Sequence, residues 1–256
     1  MDIRGYEPGP ISAEGAFTSD YALPGVLRVR QIADLVEADR PAMDVRPGMR
    51  HKYLPLRFDP AAGAPQVGRR YLFDTWSNAM DYERFTTEEL EFEPGVKFWG
   101  RPFFHGVVRH VWHVIGAHDL SSLASTHHVN RFERWAYRGR DEEAALLRAW
   151  PLIREAARGA GLFGVWLMVR PEQRQVAIVT VRAKVTGADP AARSISALEL
   201  LPSFGRFLPA DWELEKEFDR TSLILALWLP CSRALGGAPS VPLHAEPDNP
   251  CVRSRS

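Results

Sequence analysis

The sequence predicts an α+β fold of two tandem ferredoxin-like units, each an antiparallel sheet with helices on one face, and three observations predict it. Strand-like and helix-like segments alternate in an order that closes twice along the chain. Like elements recur at a near-constant offset: His51 to Leu162 is 111 residues, Trp76 to Asp189 is 113 and Phe104 to Leu223 is 119. The 256 residues are 45% hydrophobic and 25% charged, ordinary globular usage with enough apolar material for one large core or two smaller ones. Recurrence of like elements at a fixed distance is the mark of an internal duplication.

The first block opens with residues 1–25, which carry Gly and Pro, show little periodicity and read as an arm. Val26 to Asp39 then reads as a helix, with Ile32, Leu35 and Val36 on one side and Pro41 as its stop. His51 to Phe58 and Arg69 to Phe73 are strands joined through Asp59-Pro60-Ala61-Ala62-Gly63-Ala64-Pro65, which has turn chemistry. A helix follows from Trp76 to Leu90, because Thr75 (or Asp74) can cap it and Trp76, Ala79, Met80, Tyr82 and Phe85 form a broad apolar face. Phe92 to Pro102 reads as loop and Phe104 to Ile115 as a long strand. The block is thus α-β-β-α-β, with its opening strand missing or hidden near residues 13–22.

The second block repeats this order. Thr126 to Tyr137 is a strand. A helix opens at Asp141 with three carboxylates at its positive end. Leu146, Trp150, Ile153 and Ala157 step at helical spacing, and Gly159 and Gly161 end the helix. Leu162 to Val169 and Val176 to Val185 are hairpin partners, Asp189-Pro190 starts a helix that runs to Leu201, and Leu223 to Leu229 closes the block. The resulting β-α-β-β-α-β is the ferredoxin-like order. The expected organisation is an arm at 1–25, units at 26–120 and 121–230, and a Pro/Gly/Ser-rich disordered tail at 231–256. A ferredoxin-like sheet has a second face that helices do not cover. That face is expected to be apolar, so that two units packed face to face, as an α/β barrel, would enclose a cavity for a small molecule.

Composition excludes several classes. Lys+Arg and Asp+Glu are both 32, so no charge excess invites nucleic acid or an anionic membrane. No run of 18 apolar residues and no signal-like N-terminus is present, and the cytoplasm is the expected compartment. Cys231 and Cys251 lack metal or disulfide-framework spacing. There is no Gly-rich phosphate loop, no G-x-S-x-G and no H-E-x-x-H.

Arg70-Tyr71-Leu72-Phe73-Asp74-Thr75-Trp76-Ser77-Asn78-Ala79-Met80-Asp81-Tyr82 is an aromatic strand running through an acidic residue into a helix that begins with Trp. This stretch is similar to the dimeric α/β-barrel superfamily, including the antibiotic-biosynthesis monooxygenases. The resemblance implies oxygenation of an activated aromatic, such as a polyketide intermediate, without metal or flavin, with Trp76, Asn78 and Tyr82 on the matching segment. It also implies homodimers of one-unit chains, from which this chain departs by carrying both units. The superfamily has haem-binding branches, so haem is the alternative cofactor to none.

The candidate chemistry centres on Phe104-His105-Gly106-Val107-Val108-Arg109-His110-Val111-Trp112-His113, because five of the eight histidines lie between residues 105 and 127. His105, Arg109 and His113 share one strand face and His110 and Trp112 the other. Imidazoles four residues apart on a strand are roughly 13 Å apart and make poor co-ligands for one metal, so no metal site is expected. His110 or His113 as general base, with Arg109 as anion anchor, is the functional reading; buried, hydrogen-bonded histidines are the structural one. In Thr126 to Trp135, His128 and Arg131 add candidate substrate contacts. An Arg131–Glu133 pair would either orient an anionic substrate or serve as a structural ion pair. Trp76, Tyr82 and Trp112 are pocket residues on the functional reading and core on the other. The expected partner is a small aromatic molecule, and a non-catalytic ligand-binding role stays open.

Overall fold

The structure is a computed structural model, and it describes residues 8–27, 29–58, 64–121, 128–140, 142–183, 202–228 and 242–243. In chain order the elements are β1 (Gly9–Pro10), β2 (Gly15–Ala22), α1 (Val29–Asp44), β3 (Met49–Phe58), β4 (Pro65–Phe73), α2 (Trp76–Arg84), β5 (Glu91–Glu93), β6 (Val96–Lys97), β7 (His105–Asp119), β8 (His128–Arg138), α3 (Glu142–Gly159), β9 (Gly164–Arg170), β10 (Gln175–Ala183), β11 (Glu213–Trp228) and β12 (Pro242–Leu243). Contacts divide the chain into a first unit of residues 14–111 and 224–256 and a second of residues 1–13 and 112–223.

In the first unit the strand order is β7-β2-β4-β3, and in the second it is β11-β8-β10-β9. Each is the ferredoxin-like sequence of fourth, first, third and second strand, and the pairings are antiparallel. The second unit gains an edge where His113–Asp119 of β7 pair with β9. The missing opening strand is β2, inside the stretch read as an arm. It escapes periodicity because Thr18, Ser19 and Asp20 are buried in its middle, so both faces mix polar with apolar residues.

Other expectations need correcting. Helix α1 runs through Pro41 to Asp44. Proline removes one intrahelical hydrogen bond, but Met43, beyond it, is buried with Ile32 and Val36 in the core, and that burial offsets the loss. The stretch 92–102 is not plain loop: β5 and β6 form a hairpin that turns at Gly95, with positive φ, and a 3-10 turn follows at Phe98–Gly100. The charged residues of 213–219 start β11 and are exposed, with Asp219 and Glu217 bonded to Arg131 and Arg134 of β8. Helix α2 is capped as expected, with Thr75 accepting from the Asn78 N–H. It then widens into a π-helical turn at Phe85–Glu89. Gly161, with positive φ, follows the end of α3. The helix expected at 189–201 lies outside the described residues, as does the expected tail apart from β12. No helix among the described residues is long and apolar enough to cross a membrane.

The first unit's core lies between its sheet and its helices. Phe17 and Tyr21 of β2, Val67, Tyr71 and Phe73 of β4, and Leu54 and Leu56 of β3 meet Ile32, Val36 and Met43 of α1 and Ala79 and Tyr82 of α2. The opposite face of this sheet was expected to be apolar and is not. Thr18, Asp20, His51, Tyr53 and Arg70 alternate onto it and are all buried. Arg70 is 1% exposed and donates to Asp20 at 2.7 Å and to the Ser19 carbonyl at 2.7 Å. A buried charge on a sheet face is tolerated when it is paired in this way.

Candidate functional site

The helix-covered face of the first unit carries a polar group that an ordinary core would lack. On β2, Phe17, Ser19 and Tyr21 point to this face; across the ladder they oppose Tyr71, Arg69 and Val67 of β4. Tyr82, from α2, stands edge-on to Phe17 at 5.0 Å and to Tyr71 at 5.4 Å. Trp99 reaches over from the turn after β6, its ring 6.1 Å from both Phe17 and Tyr21. That turn is held down where the Phe98 N–H donates to the Leu90 carbonyl at 2.9 Å and where the Phe98 ring is buried.

Arg69 sits in the middle at 3% exposure. It donates to the Tyr21 hydroxyl, and its guanidinium lies 5.0–5.2 Å from the rings of Tyr21, Phe98 and Trp99. The Asp39 carboxylate is 3.8 Å from Arg69, but it is held by Arg101, which donates to both its oxygens at 2.6 and 3.0 Å. Arg101 is itself wrapped by aromatic rings, with Phe92 and Phe98 each 4.3 Å away. Two buried guanidiniums thus share the Asp39 carboxylate, and Arg69 has the weaker claim on it. Cations over ring faces are favoured, but such contacts do not neutralise charge.

Burial pushes the Tyr21 phenol up, with Arg69 pulling the other way. Burial likewise raises Tyr71 and Tyr82. Tyr21 therefore stays protonated near neutral pH: its oxygen accepts from Arg69 and its proton remains to be donated. Ser19 Oγ and Trp99 Nε1 are buried with no hydrogen-bond partner among the described residues. A buried donor left unpaired costs about 1–3 kcal/mol.

Of the residues expected from the sequence, Arg109 and Tyr82 join this group. Arg109, on β7 between Val107 and Val111 that pack on the core, donates to Thr87 Oγ1 at 2.5 Å and lies 5.3 Å from the Trp99 ring. Thr87 belongs to the π-helical turn, a distortion frequent at functional sites. Asn78 serves the start of α2, its side-chain amide donating to Asp74 at 2.7 Å. Trp76 is half-buried at the same helix start. His110 is half-buried on the strand face opposite Arg109.

Trp112, His113, His128, Arg131 and Glu133 belong to the second unit. Trp112 is buried edge-on to Phe132, with the Arg170 guanidinium 5.6 Å from its ring. His113 is exposed, and the His128 side chain lies outside what the structure describes. Glu133, 1% exposed, accepts from Ser203 Oγ at 2.5 Å and the Phe204 N–H at 3.2 Å, with Arg131 at 3.2 Å and Lys216 at 3.5 Å. Arg131 and Lys216 also bind Asp219, at 2.6 and 2.8 Å. Burial would raise the Asp219 carboxyl, yet those two cations outweigh it and hold it below the usual range. This is the structural ion-pair network of the two readings, tying residues 203–204 to β8.

Sequence reasoning missed Ser19, Tyr21, Asp39, Arg69, Trp99 and Arg101. One signal was present. Phe98-Trp99-Gly100-Arg101-Pro102-Phe103-Phe104 is too aromatic for an exposed loop, and rings of that size are expected to be buried.

No family model matches the chain, and no curated protein matches it. Solved structures do. A candidate monooxygenase from Fusobacterium nucleatum subsp. nucleatum aligns over 92% of this chain and 99% of its own, at 8% identity and a TM-score of 0.50. A second, from Lactobacillus acidophilus, aligns over 90% and 99%, at 9% identity and 0.50. The chain shares their α/β-barrel fold. An anthrone oxidase-like protein aligns over 85% of this chain and 95% of its own, at 11% identity and 0.49. The α/β-barrel likeness runs through both units, and at such identities it fixes the fold and leaves the reaction to the residues.

Proposed function

We propose that this α/β-barrel protein is a small-molecule enzyme that oxygenates, or rearranges, an electron-rich aromatic taken as its anion, in keeping with a polyketide-type substrate. The observation that carries the reading is Arg69: a guanidinium buried among aromatic rings, bonded to a neutral phenol, with the Asp39 carboxylate already held by Arg101. A phenolate or enolate would complete its charge, and the rings of Phe17, Tyr21 and Trp99 suit a flat aromatic body. The names of the structural neighbours agree with oxygenase chemistry.

The reaction balances without a protein-borne oxidant. A phenolate passes one electron to dioxygen, and the radical pair joins as a carbon–oxygen bond. The phenol's proton completes the hydroperoxide, which loses water to leave a carbonyl. One dioxygen is consumed, one oxygen stays in the product and the other leaves as water. In this scheme Arg69 favours the anion, Tyr21 donates a hydrogen bond as charge builds on oxygen, and Arg109 steadies Trp99. No imidazole is among the groups placed around Arg69, which gives haem no evident ligand there.

The test is oxygen uptake with hydroxylated anthrones and naphthols. Wild type should consume one dioxygen per carbonyl formed, and Arg69→Met should lose at least about a hundredfold in rate, as when one oxyanion donor is removed elsewhere. His110→Ala and His113→Ala test the base assignment separately; unchanged rates in both remove it. Binding without uptake would favour the ligand-binding reading, and neither binding nor uptake would end the proposal.

A further inference from the structure

We infer that Ser19 and Trp99 form a two-donor clamp for the ionised oxygen of the substrate, with Arg69 supplying the charge. The inference rests on the aromatic-anion reading above and goes beyond it by naming the atoms that recognise the oxygen.

Ser19 is 1% exposed. It lies directly across the ladder from Arg69, between Phe17 and Tyr21 on the same face of β2. Trp99 lies over the same face, its ring 6.1 Å from each of the two flanking rings. Both the Ser19 hydroxyl and the Trp99 N–H are buried and without a protein partner among the described residues. Proteins rarely leave buried donors unmade, and here one belongs to the residue paired with Arg69 across the ladder and the other to a ring 5.2 Å from the Arg69 guanidinium. Three features select the occupant. It must accept two hydrogen bonds, because the donors are an O–H and an N–H. It must be anionic, because Arg69 shares the Asp39 carboxylate with Arg101. It must be mostly apolar and flat, because the walls are rings. A phenolate or enolate oxygen on a fused aromatic meets all three, whereas an inorganic oxyanion meets the first two and fails the third.

Binding of 1-naphthol and of naphthalene, followed in the full-length chain by fluorescence, tests this. Free 1-naphthol is mostly neutral at pH 7, and its naphtholate has its own absorption band, so the bound form is read directly. Wild type should bind it as naphtholate. Ser19→Ala and Trp99→Phe should each weaken naphtholate binding by about tenfold to a hundredfold, the range for a lost hydrogen bond to a charged group. Ser19→Ala should leave naphthalene affinity unchanged, and Trp99→Phe, which shrinks one ring of the wall, should lower it by much less than it lowers naphtholate affinity. Ser19→Ala should also raise the ligand-free thermal midpoint by about 2–4 °C, because it removes an unpaired buried hydroxyl. Equal weakening of both probes would assign the two residues to packing and overturn the clamp. Unchanged naphtholate binding in both variants would overturn it while leaving the enzyme reading intact. If wild type binds neither probe, the clamp and the reading fall together.

Discussion

The two units share one strand order and keep their buried charges in different surroundings. On the helix side of the second unit, β9 and β10 offer Val165, Leu167, Val169, Val176 and Ile178, and the buried carboxylate of Glu133 is met by Ser203, the Phe204 N–H, Arg131 and Lys216. On the helix side of the first unit, Arg69 shares Asp39 with Arg101, and Ser19 and Trp99 keep donors unpaired. A complete network adds rigidity, and an incomplete one is left to be completed by something else. The comparison teaches that two copies of one topology can hold a buried charge differently: a carboxylate met by several donors in one, a guanidinium set among aromatic rings in the other.

That contrast can be broken by experiment. The largest effect should come from Glu133→Ala, which unpairs the Ser203 hydroxyl and the Phe204 N–H and leaves the half-buried Arg131 and the exposed Lys216 to Asp219 alone. It should cost about 2–4 kcal/mol of stability, from two donors left unpaired, measured by denaturant unfolding, without changing naphtholate affinity at a temperature where the variant is folded. Arg69→Met should do the reverse, shifting stability by no more than about 1 kcal/mol while losing about 2.7 kcal/mol or more of transition-state stabilisation. If the two variants exchange these outcomes, the division of labour is wrong.

Gly116→Ala probes the second unit's packing. A Cβ there would fall 2.2–2.5 Å from the Trp150 ring of α3, and overpacking of this kind should cost about 1–3 kcal/mol.

Alkaline unfolding sharpens the contrast from the other side. Tyr21, Tyr71 and Tyr82 are raised above the ordinary phenol value by burial in the first unit. Their stabilising contribution is intact below the unfolded value near 10 and is lost as pH climbs towards the raised folded values. Each phenol should contribute a slope of up to about 1.4 kcal/mol per pH unit there. A flat stability curve from pH 10 to 11.5 would count against burial of all three. The smallest expected effect is none: haemin added to the protein should produce no Soret band, and a stoichiometric one would restore the haem reading.

Much of the architecture was legible because helix and strand periodicity are local. The apolar steps of α3, the cap at Thr75 and the turn glycines all act within a few residues. What was not legible had non-local causes. β2 hid because its buried Thr18, Ser19 and Asp20 find their surroundings on other strands. Helix α1 outran Pro41 because Met43 has a core to enter. The histidine-rich segment 105–113 drew attention by composition, and of its candidates Arg109 joins the ring cluster while His110 faces the other way.

The sequence alone determined the three described helices, most of the strands and the recurrence of like elements, since these follow from residue spacing along one chain. Only the tertiary structure decided that Ser19, Arg69 and Trp99 share one water-excluded face. Burial and the loss of a hydrogen-bond partner are properties of contacts between distant segments, and no local pattern records them.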